Sequence, residues 1–304
     1  MSRRPPAPSR KILPILAVCV VSIGLVMVIL FYNPQAAAHQ QALTNLNVVN
    51  TTGLADAVYQ KIQSQLMALA TSSPADTTTS TGSGNSIATA AKPLTATEAL
   101  SQEFINQYMT MKQSGQTLTP DEESSLIPNL IQNGDVTNHI PQAKVFTIAD
   151  IVVINNTSAA AFHAYGNAVG AVVARNSVPQ NLNELDILQA AVNSGNPDDL
   201  ANLAIITKSY SGIIKGLSTV PVPSSVAALH LAILNDFSQA ENSVEGMQKL
   251  FTDPVFTVSA VQNYEQVAPA IYNDISALGP LFAKNGITFG PTEPGYRFIA
   301  ASTQ

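Results

Sequence analysis

The stretch SSVAALHLAILNDFSQAENSVEGMQKLFTDPVFTVSAVQNYEQVAPAIYNDISALGPLFAKNG, Ser224 to Gly286, decides the fold. Val226, Leu229, Ile233, Phe237, Ala240, Val244, Met247 and Phe251 recur at steps of three or four, which is one face of a helix. Asp253-Pro254 interrupts the pattern, because aspartate caps a helix and proline suits its first position. A second stripe follows, with Val258, Val261, Tyr264, Ala268, Ile271, Ile275, Leu278 and Phe282, and it stops at Asn285-Gly286. Two long amphipathic helices joined by a one-residue break predict an antiparallel hairpin, and Pro269 predicts a kink in the second.

Upstream of the hairpin the helical pattern persists. Thr95 to Glu98 has capping-box spacing and opens a helix with Leu100, Phe104, Tyr108 and Met111 on one face. Thr119-Pro120 with Asp121, Glu122 and Glu123 marks another start. Phe162, Tyr165, Val169 and Val172 form a stripe beside the small residues Gly166, Gly170 and Ala174, a row that permits a close helix approach. Asn155, Asn156, His163, Asn167 and Arg175 argue against a membrane span there. A short helix is predicted over 183–193, and Asn196-Pro197-Asp198-Asp199 starts the next, with Leu200, Leu203, Thr207, Tyr210, Ile214 and Leu217 facing inward. Val145 to Ile154 is rich in β-branched residues and holds a candidate strand. Ile287 to Phe289 and Tyr296 to Ile299, separated by turn residues, are the other strand candidates. The expected fold class is therefore mainly α, a helical bundle with a small β element.

At the amino terminus, Ile12 to Tyr32 runs for twenty-one residues without a charge, behind Arg3, Arg4, Arg10 and Lys11. As a helix it reaches about 31 Å, the thickness of a hydrocarbon core. Cations before the run and none of the acids keep residues 1–11 in the cytoplasm as a basic tail and export the rest. Two readings of 12–32 stand: a signal anchor retained in the lipid bilayer, and a signal peptide cleaved near Ala38 within Ala36-Ala37-Ala38. The apolar run exceeds the usual length of a cleaved signal core, which favours the anchor. Residues 33–92 then comprise a juxtamembrane helix, with Leu54, Val58, Ile62, Leu66 and Leu69 at helical spacing, and a Ser/Thr/Gly/Ala-rich segment from Thr71 to Lys92 expected to be flexible. Residues 93–304 form the extracytoplasmic helical domain. With eleven residues before the span, a tether is expected in place of a signalling conduit.

Charge and cysteine narrow the function classes. Beyond the span lie ten cations against twenty acids, a net of −10, so a basic nucleic-acid footprint is missing. The one cysteine, Cys19, falls inside the span, and the exported part can form no disulfide or thiolate metal site. None of His39, His139, His163 and His230 belongs to a recognisable metal-ligand group, and no serine-nucleophile elbow, P-loop or dinucleotide fingerprint is present. No catalytic, cofactor-binding or metal-ligating residue is assigned, and no cofactor is expected. His163, His230, Asp150 and Asp236 are the one set whose convergence in space would indicate an enzyme. Tyr165, Tyr210, Tyr264 and Tyr272 could line a pocket, although core packing is the simpler expectation.

Ile148-Ala149-Asp150, Tyr165-Gly166-Asn167, Val220-Pro221-Val222-Pro223 with His230 and Asn235, Asp253-Pro254, and Pro294-Gly295-Tyr296 resemble landmarks of single-pass, mainly helical envelope proteins of candidate-phylum, Patescibacteria-like bacteria. The resemblance spans Val145 to Phe298. It implies a bacterial envelope protein and carries no activity, catalytic residue or cofactor. The function expected from all of this is a structural or protein-interaction role in the cell envelope, with a surface appendage or secretion assembly as one setting and an envelope protein as partner. A small-ligand-binding ectodomain is the alternative, and an envelope hydrolase the third.

Overall fold

The computed structural model describes residues 57, 58, 60, 62, 93–113, 129, 130, 135–179 and 182–300. The 12–32 stretch, the Thr71 to Lys92 segment and the Asp121 cluster lie outside them. Among the described residues the chain is mainly helical, with seven α-helices and one two-stranded sheet. None of the described helices is long and apolar enough to cross a membrane.

The hairpin is the centre of the molecule. Helix α5 (Ala227–Met247) packs against α6 (Pro254–Lys284), and the side-chain bonds from Thr257 to the Gly246 carbonyl (2.7 Å) and from Asn263 to Ser243 (2.8 Å) show the two running antiparallel. Val258, Val261, Tyr264, Ala268, Ile271, Ile275, Leu278 and Phe282 are all buried, as their spacing predicts. The connection is longer than a one-residue break. Helix α5 ends at Met247, and Gln248 to Thr252 form a turn in which the Lys249 carbonyl accepts from both Thr252 and Asp253. The apolar periodicity runs on into this turn at Phe251, which packs partly buried against the core without being helical. Helix α6 is continuous through Pro269 and Pro280, and it stops where Gly286 adopts φ 67°, a conformation that favours glycine.

Helix α1 (Ala96–Gln113) is locked to the start of α6 by one carboxylate. A helix leaves its first four N–H groups without internal partners. In α1 the Glu98 N–H goes to the Thr95 hydroxyl (3.1 Å) and Ala99 to the Thr95 carbonyl, while Ala96 and Thr97 donate to Asp253 (3.2 and 3.0 Å). In α6 proline has no N–H to satisfy. Val255 donates to the Thr97 hydroxyl (3.1 Å), Phe256 to Asp253 (3.4 Å) and Thr257 to the Asp253 carbonyl. Asp253 thus caps two helices that meet head to head, and it is buried. The capping box expected at Thr95 is completed by the Thr95 N–H donating to Glu98 (2.8 Å). Val58 and Ile62, helical and fully buried, belong to the same apolar core.

On the other flank, α2 (Ala159–Arg175), α3 (Glu184–Ser194) and α4 (Leu203–Leu217) follow in sequence, and α4 packs on α5. Ser158 and Asn183 cap α2 and α3, and Asn196 caps a short 3-10 turn, Pro197–Leu200, that precedes α4. The small-residue row of α2 does not receive another helix along its length. A Cβ at Gly166 would run into Phe289 and Phe282, and one at Gly170 into the Pro294 carbonyl, so the row admits the loop after α6 as well as the end of that helix.

The β element differs from the expected one. Strand β1 (Val152–Ile154) pairs in parallel with β2 (Pro221–Pro223), Val152 opposite Pro221, Val153 opposite Val222 and Ile154 opposite Pro223. Proline disguised β2, since it argues against a strand except at an edge. Residues 287–289 form no strand and Tyr296–Ala300 is a short helix, α7, so the turn between them joins no hairpin. With no N–H on either proline, only Val222 can donate across the pair. Its peptide groups therefore face β1, and those of Val153 face away from β2.

Candidate functional site

The four residues whose convergence would suggest chemistry sit in four separate arrangements, and among the described residues no hydrogen bond or ion pair joins any two of them. His230, on α5, is fully buried. Its Nε2 lies 3.0 Å from the Leu217 carbonyl, which can only accept, so that nitrogen carries the proton and Nδ1 accepts from the Tyr165 hydroxyl at 3.1 Å. Burial lowers the His230 pKa and raises that of Tyr165, which keeps both neutral. With both nitrogens engaged and no solvent access, His230 is a crosspiece between α2, α4 and α5.

His163 lies partly exposed on α2. It faces Glu293 at 3.2 Å and stacks on Phe289 with ring centroids 5.0 Å apart. Glu293 also accepts from Gly290 (2.6 Å) and Asn167 (3.0 Å), and these bonds, the backbone one first, hold its pKa below the usual value. Asn167 in turn accepts from the Gly295 N–H (2.9 Å). This cluster fastens the 287–295 loop to α2. Asp150 accepts from the N–H and hydroxyl of Thr147 (both 2.8 Å) and faces Lys144 at 3.9 Å, the geometry of a short-helix cap.

Asp236 is half-buried on α5, and burial first, then the nearby Asp274, push its pKa up to about 6. A carboxyl whose folded-state pKa is raised contributes stability that is complete below its unfolded value near 4 and is lost as pH rises through about 6. Asp236→Asn should therefore stabilise the fold by about 1–2 kcal/mol at pH 7.5, allowing for solvent screening of a half-exposed group, and give no gain at pH 4. Urea midpoints at the two pH values test this; equal effects at both would contradict it.

The tyrosines pack. Tyr165, Tyr210 and Tyr264 are fully buried, and Tyr272 is partly buried against the core. The Tyr210 hydroxyl donates to the buried carboxylate of Glu184, and burial pushes the phenol pKa well up. Glu184 falls in the first turn of the helix predicted over 183–193, and nothing local to it marks a buried partner on α4. Among the described residues no group of three His, Cys, Asp or Glu side chains is placed to hold a metal ion.

Two surface features remain. Val145, Ile148, Val152 and Val153 are exposed, at 77%, 57%, 47% and 37%, and make an apolar strip of sequence within nine residues of chain. Next to it, Pro141 to Phe146 runs along α5 as a strap. Asn235 donates to the Phe146 carbonyl (3.1 Å) and accepts from its N–H (2.7 Å), Ser238 donates to the Lys144 carbonyl (2.7 Å), and Asn242 to that of Pro141 (3.1 Å). A groove of about 640 Å³ opens between the strap and the hairpin, with Gln239 and Asn242 on α5 and Phe256, Ser259 and Asn263 on α6 along it. Sequence reasoning missed this ladder. Its signal was polar residues at Asn235, Ser238 and Asn242, a helical row on the flank of an apolar stripe. No family model, curated protein or solved structure matches the chain.

Proposed function

We propose that this chain is a membrane-tethered interaction protein of the bacterial cell envelope, held in the lipid bilayer through residues 12–32 and presenting its helical domain outside the cytoplasm to a protein partner. It is not an enzyme in this reading, and neither a cofactor nor nucleic acid takes part. The observation that supports it is the contrast between a filled core and an uncovered apolar strip. The histidines and tyrosines that could have formed a reactive pocket are engaged in packing, with His163 fastening a loop. Val145, Ile148, Val152 and Val153 meanwhile expose side chains whose burial against a partner is favourable, at about 25 cal/mol per Å². Tethering adds effective concentration without further contacts.

The double variant Ile148→Asp with Val152→Asp tests the reading. Both side chains are exposed, so the thermal midpoint should change little, while cross-linking to envelope proteins in intact cells should fall at least tenfold. Unchanged cross-linking would overturn the strip as the contact. Release of the chain from membranes by alkaline carbonate, or failure of the 93–304 region to become protease-accessible from outside the cell, would overturn the tether.

A further inference from the structure

We infer that the groove between the strap and the hairpin binds an extended polypeptide segment of low charge, its main chain held by the strap edge and by the amides of α5 and α6. The inference rests on the interaction reading above and names what the partner presents. Along the groove wall, the backbone N–H groups of Gln142, Ala143, Lys144 and Val145, and the carbonyls of Gln142, Ala143 and Val145, make no hydrogen bond among the described residues, and with Lys144 and Phe146 turned toward α5 an extended strap presents Ala143 and Val145 on its free edge. Such an edge is a template for strand addition. Opposite it, the Gln239 amide and the Ser259 hydroxyl make no hydrogen bond among the described residues, and Asn263, whose nitrogen donates to Ser243 and the Gln239 carbonyl, has an oxygen that accepts none among them.

The chemistry of the lining selects the ligand. Amides and hydroxyls supply the polar groups beside a larger apolar surface, Lys144 is the one charged side chain along the groove among the described residues, and its charge is already shared with Asp150 and the Phe146 ring. A cation would find no counter-charge there, and an anion only a lysine that already faces Asp150. A peptide group offers one donor and one acceptor, which is what an asparagine or glutamine amide complements, and the Asn235 pair with both polar groups of Phe146 shows this helix already reading a peptide in that way. The volume lies within the usual range for ligand sites, and an edge from Ile140 to Val145 is about 20 Å long, room for five or six extended residues.

The test uses the full-length protein in detergent micelles, a random twelve-residue peptide display library, and fluorescence polarisation of the selected peptides. Peptides should be recovered whose affinity falls at least tenfold in Ser259→Trp, which fills the groove, and about three- to tenfold in Gln239→Ala, which breaks no protein hydrogen bond and so keeps the test informative if the tryptophan disturbs folding. Bound peptide should slow amide exchange over 142–145. Recovery of no peptide sensitive to either substitution would overturn the inference. Retention of neutral oligosaccharides on a glycan array, abolished by Ser259→Trp, would overturn it in favour of a carbohydrate groove. If the Ile148→Asp, Val152→Asp variant loses its cross-links while the groove substitutions change nothing, the interaction reading stands and the groove inference alone fails. Groove-sensitive peptides with unchanged cross-links give the reverse.

Discussion

Asp253→Ala is expected to destabilise the domain by about 3 kcal/mol, because it removes the acceptor of two helix starts together. Loss of an ordinary N-cap costs about 1 kcal/mol, and here Ala96, Thr97 and Phe256 would all lose their partner in a buried site. The Thr97 hydroxyl, which donates to Asp253 at 2.6 Å and accepts from Val255, would also be left half-satisfied. Urea unfolding followed by circular dichroism measures the loss. Asp253→Asn, with one acceptor oxygen in place of two, should recover part of it. A change below 0.5 kcal/mol in the alanine variant would show that α1 and α6 do not depend on their shared cap.

Phe282→Ala is expected to cost more, about 4 kcal/mol, as befits a phenylalanine with no exposed surface. Its ring meets Phe289 edge-on at 5.2 Å between centroids and tilts against Phe298 at 6.0 Å and Tyr165 at 6.3 Å. Truncation would remove the surface on which the 287–298 segment packs, so hydrogen exchange there should accelerate more than in α5. Uniform acceleration across the domain would indicate that the segment and the hairpin unfold as one unit. Against a usual total stability of 5–15 kcal/mol, either substitution takes a large share.

Much of this was legible in the sequence, and the reasons differ by element. Helix starts at Asn183, Asn196-Pro197 and Asp253-Pro254 could be read because a cap acts on its own first turn. The second duty of Asp253, toward α1, could not be, since its partners lie 156 and 157 residues away and no local rule connects them. Val152 to Ile154 showed its β-branched character, whereas β2 hid behind its prolines. His230 stands beside Leu229 and Ile233 of the apolar stripe on α5, which the sequence shows, but its two partners come from α2 and the end of α4. The strap was opaque for a related reason. A segment held by side chains of a distant helix carries no periodicity of its own.

The prolines of β2 have a consequence for stoichiometry. Their outward-facing positions carry no N–H, so the sheet is finished on that side and can accept a further strand only beside Val153. Strand addition from the β2 side is therefore blocked. A surface protein crowded in two dimensions on a membrane, as proposed here, gains from this: two copies cannot zip together through their β2 edges.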